Sequence, residues 1–246
     1  MQPDRNELPA MRLVLALLIS ASPLAAQESR PVFGLPAGCT AYVTVQSTSC
    51  EVSHYFTCQG DPEGHQRRVS LDEQGVVYAG EIDFETQWIA SFHALTGHSE
   101  TLVPNPTEPA SLSDLIAHGV DDYDFSTMSD QFGETRFSGQ DTLTGREVTI
   151  DGVTLLETTY DITASTPDGT VIWSAKGNEF INPDWRVFLA GTGVVTSSEG
   201  QESRDDRPVE FIFPGEPGFL SAQPKHGCGL AISSAPLSEE NTYDQI

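Results

Sequence analysis

The chain has 246 residues, 38% of them hydrophobic, with 36 acidic side chains against 12 basic ones and a formal net charge of −24. A surface this acidic repels phosphate backbones and anionic lipid headgroups, so nucleic acid is excluded as a partner. The same charge would attract cations or a basic partner.

Residues 11–26 have the order of a secretory signal peptide: Arg12, an apolar run from Leu13 to Ile19, then small residues closing on Ala25-Ala26. The run is shorter than the roughly 20 apolar residues that span a bilayer. Cleavage is expected between Ala26 and Gln27, leaving a β-rich domain over residues 27–237 and a polar tail over 238–246. Met11 is the expected start, because Asp4 and Glu7 are acidic where a leader is normally basic. No cysteine follows Ala26, and no later segment is long and apolar, so neither a lipid anchor nor a membrane-spanning helix is expected. The expected location is the periplasm or the medium.

Cys39, Cys50, Cys58 and Cys228 all follow the leader, and an even count in an oxidising compartment favours two disulfides. Three pairings are possible. Residues 50–58 read as one strand, which holds its ends apart. A hairpin of residues 41–46 and 51–58 sets Cys39 opposite Cys58. Cys39–Cys58 with Cys50–Cys228 is therefore favoured, with the pairing left open. A zinc site would want a Cys-x-x-Cys pair, which is missing.

Further strands are expected at residues 67–71, 76–82, 88–95 and 98–103, with turn chemistry between them. Residues 88–95 fit a helix as well as a strand. A short helix is expected around residues 108–118, capped by Thr107, started by Pro109 and ended by Gly119. Asp122, Asp124, Ser126 and Asp130 then stand at positions one, three, five and nine of a calcium-loop pattern. Thr127 occupies the place of its turn glycine, and Gly133 that of its last acid. Calcium is the one cofactor the spacing suggests.

Residues 146–213 carry the clearest alternation. Leu156, Tyr160, Ile162 and Ala164 share one face of residues 153–164. Trp173, Ala175 and Gly177 share one face of 171–180, and Trp185, Val187 and Leu189 one face of 185–195. Residues 197–207 read as a loop or hairpin end, and Val209, Phe211 and Phe213 as a last strand. Short turns between such runs imply a meander. Glu157, Asp161, Lys176 and Arg186 oppose the core, so the outer face meets water and not lipid.

The fold class is all-β: a curved antiparallel sheet or partly open barrel with one short helix at its mouth or across one face. In outline this resembles the lipoprotein-carrier type of periplasmic half-barrel. No motif carries the resemblance, and no residue role is transferred from it.

Six scattered histidines show no metal spacing along the chain, and no Gly-x-Ser-x-Gly or phosphate-cradling glycine loop occurs. Tyr160, Trp173 and Trp185 are the candidate lining of an aromatic cup. The reading is an exported, non-catalytic protein that binds an apolar ligand or an envelope partner. The alternative is a secreted hydrolase whose active site has no local signature.

Overall fold

The computed structural model of the chain describes residues 32–229. The expected leader over residues 11–26 and the tail 238–246 lie outside the described residues. Thirteen strands form one antiparallel sheet. In chain order they are β1 (Cys39–Ser47), β2 (Val52–Cys58), β3 (Gln66–Asp72), β4 (Gly75–Ile82), β5 (Trp88–His93), β6 (His98–Leu102), β7 (Val120–Ser129), β8 (Gly133–Ile150), β9 (Val153–Ser165), β10 (Val171–Asn182), β11 (Val187–Ser197), β12 (Gly200–Asp205) and β13 (Pro208–Ile212). The helix α1 spans Leu112–His118 between β6 and β7.

Strands β1 to β12 follow one another across the sheet as a meander, and the last strand breaks the pattern. β13 does not pair with β12. It crosses to the opposite edge and pairs with β1, setting Phe211 against Val45 and Ile212 against Thr44. Asp206 and Arg207 are the only residues between the two strands, so the edges must approach each other there. Thr48 of the β1–β2 turn seals the approach: its N–H donates to Arg207 O at 3.0 Å and its hydroxyl donates to Asp205 O at 2.6 Å. The sheet is thus curved and open, with its edges drawn together at one corner.

The lower halves of β9–β11 are apolar on both faces, because both faces are covered. Leu155, Phe180, Val187 and Leu189 pack against Val43, Val45, Tyr55 and Phe211 of the β1–β2–β13 end. Alternate residues Leu156, Ile181 and Phe188 point the other way and hold Leu112 and Leu115 of α1. A third cluster joins Tyr123, Phe125, Phe137, Ile162, Ala164 and Ala175 on the concave face. The sheet therefore overlaps itself at one end, and α1 lies against its concave side.

α1 begins later than the sequence suggests. Ser111, not Thr107, is the N-cap, and its side chain accepts from Asp114 N. Gly119 ends the helix in the left-handed region at φ 82°, where glycine carries no Cβ penalty. Residues 88–95 resolve as a strand, β5. The 197–207 segment contains β12, and most of β7 and β8 was not anticipated.

Both disulfides are present. Cys39 and Cys58 face each other across the β1–β2 ladder. Cys50 in the β1–β2 turn bonds Cys228, fastening the segment after β13 to that turn.

Candidate functional site

Following the register from β2 to β12 identifies one continuous concave wall. Tyr55 stands opposite Arg68, Arg68 opposite Gly80, Asp121 opposite Asp141, and Asp141 opposite Tyr160. Glu179 extends the same face on β10, beyond Gly177 opposite Tyr160. This row is polar, in contrast to the aromatic cluster beside it. Three of its tyrosines lie over glycines of the wall: Tyr78 over Gly80, Tyr123 over Gly139 and Tyr160 over Gly193. A Cβ at any of these glycines would collide with a tyrosine hydroxyl, so the glycines let the rings lie flat and keep the interior open.

A crevice of about 590 Å³ opens between the two edges of the sheet. Its lining includes Tyr55, Arg68, Leu189 and Ala190, the acids Glu51, Asp72, Glu202, Asp205 and Asp206, and Arg204, which pairs with Glu202 at 3.1 Å. A second cavity of about 100 Å³ lies on the other side of Arg68, among Tyr78, Ile82, Trp88 and Phe188. The larger volume is in the range of small-molecule sites.

Arg68 is the focus of this arrangement. Protein surrounds it, and its remaining exposure is to the two cavities it lines. Its guanidinium stands 4.7 Å from the centre of the Tyr78 ring, a cation–π contact. Burial opposes the charge, yet Tyr55, Tyr78 and Glu51 together hold the Arg68 pKa above its ordinary value. Among the described residues it makes no ion pair with a carboxylate. An enclosed guanidinium without a paired acid is costly to the fold and suited to an acid group arriving from outside.

The concave acids are shifted upward, chiefly because burial disfavours their charge. Glu179 rises to about 7, with the Arg68 charge pulling it back, and Asp141 rises to about 8, pushed further by Glu179 and Asp121. Asp121 rises to about 6, although it accepts the Ser111 N–H at 2.9 Å. His54, buried under the β1–β2 ladder, is lowered by burial to about 4 and is neutral near pH 7. It stacks on Phe33, with Nδ1 hydrogen-bonded to Thr44 Oγ1 at 3.0 Å.

The aromatic candidates separate. Tyr160 and Trp173 both lie against the concave cluster, Trp173 at 6.1 Å from Phe137. Trp185 packs with Tyr42, Phe211 and Phe213 where the sheet overlaps itself. Trp173 and Trp185 therefore do not line a common cup. Trp185 lies in the turn after β10 and packs with Val187 and Leu189 where the sheet overlaps itself, away from the Trp173 cluster.

The calcium candidates do not converge either. Asp122, Asp124 and Ser126 lie along β7, a strand, where alternate side chains stand roughly 7 Å apart in a row. Asp124 is held by Arg136 and Asp122 by Gln140 on β8, while Asp130 sits exposed in the β7–β8 turn. A calcium loop must curl to bring its oxygens together, and this segment is straight.

No motif along the chain marks Arg68 or the concave acids. The strand containing Arg68 was expected, but an isolated arginine in a short strand gives no sign of pointing inward. No helix among the described residues is long and apolar enough to cross a membrane. Comparison with protein-family models, curated proteins and solved structures finds no match.

Proposed function

We propose that the protein is an exported small-molecule-binding protein whose crevice takes a ligand with a single acid group. The observation that carries this reading is Arg68, which lines the crevice and, among the described residues, forms no ion pair with a carboxylate. The ligand's acid would sit on the guanidinium, beside the hydroxyls of Tyr55 and Tyr78. The lining acids Glu51, Asp72, Glu202, Asp205 and Asp206 outnumber Arg68 and Arg204, and this disfavours multiply charged anions. It favours a ligand whose remainder is neutral or cationic. The mixed lining suits an amphipath better than the purely apolar ligand that the alternation suggests. Two disulfides are compatible with the oxidising location that the leader implies.

The test is titration with a fluorescent medium-chain carboxylic acid, its methyl ester and its zwitterionic amino-acid counterpart. The acid and the zwitterion should bind, and the ester should not. Arg68→Met should abolish binding and leave stability within about 1 kcal/mol, because an unpaired buried charge is replaced by an apolar group. Equal binding of acid and ester, or a lost fold in Arg68→Met with no probe bound by the parent, would overturn the reading.

The hydrolase alternative has one observation in its favour: Glu179 and Asp141 are carboxyls tuned toward neutral pH on the same concave wall. Turnover of an ester probe that disappears in Glu179→Gln would favour it.

A further inference from the structure

His93 and His98 are scattered residues in the chain and direct partners in space. β5 and β6 form a hairpin in which His93 stands opposite His98 and Ser91 opposite Glu100. Gly97, at φ 68°, closes the turn between them. His98 and Glu100 are two residues apart on one strand, so all three side chains share one face. That face is the concave one, since Tyr78 is the next partner of His93.

The two imidazoles stack with centroids 4.7 Å apart and planes at 6°. His98 Nε2 lies 3.3 Å from Glu100 Oε1. One ligand atom from each of His93, His98 and Glu100 falls within 4.8 Å of the other two. All three residues are partly buried, so their positions are constrained by packing.

The surroundings orient each group. The Thr127 hydroxyl donates to Glu100 Oε2 at 2.9 Å, which turns Oε1 toward the imidazoles. His98 Nδ1 is hydrogen-bonded with Thr96 Oγ1 at 2.6 Å, which fixes the ring and leaves Nε2 for the shared space. Phe132 meets the His98 ring edge-on at 4.7 Å, and Tyr78 meets His93 edge-on at 5.3 Å. His93 Nε2 lies 3.2 Å from Ser91 Oγ on the same strand, and the ring is held between His98 and Tyr78.

We infer that His93, His98 and Glu100 form a binding site for a divalent transition-metal ion of the zinc class. Two imidazoles and one carboxylate are the donor set of such ions, and the nitrogen donors select against calcium and magnesium. Three protein ligands leave at least one position for water or a ligand atom. The hydroxyls of Thr127 and Thr96 act as the outer partners that fixed metal ligands normally have. Closing around an ion requires the stacked rings to tilt toward each other by about 1 Å, because donors at roughly 2.1 Å from zinc stand closer together than stacked rings do. The site is independent of the crevice reading, as it uses neither Arg68 nor a crevice ligand.

The experiment is calorimetric titration of the full, oxidised chain, free of any histidine tag, with zinc chloride in excess calcium. The calcium occupies the weak carboxylate sites that an acidic surface offers. One zinc per chain should bind, and cobalt should give the visible absorption of a low-coordinate site. His98→Ala should remove that event. Thr127→Val, which keeps the shape and loses only the hydroxyl, should weaken it by about 10- to 100-fold. Thermal melting of each variant separates lost binding from lost folding; if His98→Ala does not fold, His93→Gln serves in its place. No zinc binding by the parent protein, or binding unchanged in a folded His93→Gln or His98→Ala variant, would overturn the assignment.

Discussion

Asp141 is a carboxyl held in an environment far from the one its type prefers. Burial raises its pKa to about 8, and the groups facing it are Glu179, Asp121, Tyr123 and Tyr160. An unfolded aspartate titrates near pH 3.9. A raised folded value means the native state binds the proton more tightly. The stabilisation is complete below about pH 3.9 and is lost as pH rises through about 8. Glu179 and Asp121, at about 7 and 6, act in the same direction. His54 acts oppositely: lowered to about 4, it adds stability from there up to the ordinary histidine value near 6.5. Above pH 6.5 the acids stand alone, so stability should fall between pH 6.5 and 8.5. Asp141→Asn should flatten that fall and stabilise the protein by about 1–3 kcal/mol at pH 8. Urea denaturation across this range is the measurement, and a flat or rising profile in the parent protein would refute the account.

At the scale of elements, α1 is held from outside as much as by its own cap. Glu85, in the β4–β5 turn, accepts the Ser113 N–H at 2.9 Å and the Ser113 hydroxyl at 2.8 Å. Arg186, in the β10–β11 turn, donates to Glu85 at 3.1 Å and to Phe84 O at 2.8 Å, and its guanidinium lies 3.7 Å from the Phe84 ring centre. One carboxylate thus joins two turns and the start of a helix. Glu85→Ala should cost about 2–3 kcal/mol, since it breaks charge-assisted bonds to Ser113 and Arg186. Ser111→Ala should cost about 1 kcal/mol, the ordinary worth of a cap. Chemical denaturation of the two variants decides it, and a larger cost for Ser111→Ala would show that the bridge is incidental.

The same scale explains what the sequence disclosed. Alternation located β9, β10 and β11 because their apolar residues keep strict parity. β7 was legible in principle: Tyr123, Phe125 and Thr127 alternate with Asp122, Asp124 and Ser126. A strand's solvent face and a calcium loop's oxygens share a period of two, and the acids drew attention to the loop. The His93–His98 pairing was also within reach, because two expected strands flank a turn containing Gly97, and a hairpin brings its ends opposite. The inward direction of Arg68 was not within reach, since it follows from the register of β2–β4 and from an overlap of the sheet ends that no local pattern records. The same overlap parts Trp185 from Trp173.

For the molecule as a whole, the crossing of β13 sets an order of assembly. Strands β1 to β12 can each pair with a neighbour already present in the chain. β1 keeps one open edge until β13 arrives, after nearly every other strand has been made. Cys39 and Cys58 are separated by 19 residues and face each other within one hairpin, whereas Cys50 and Cys228 are separated by 178. Local contacts form sooner because they close smaller loops. In oxidative refolding quenched at intervals, Cys39–Cys58 should therefore appear first and Cys50–Cys228 last. In the interval Cys50 is a free thiol beside an unpaired strand edge, and both invite a second chain. Disulfide-linked dimers should thus accumulate early and at high protein concentration, and the double variant Cys50→Ser with Cys228→Ser should suppress them. A refolding series in which Cys50–Cys228 precedes Cys39–Cys58 would contradict this order. The fold's closing strand is also its point of greatest exposure to misassembly, which ties the yield of the protein to how quickly the chain's last quarter reaches its first strand.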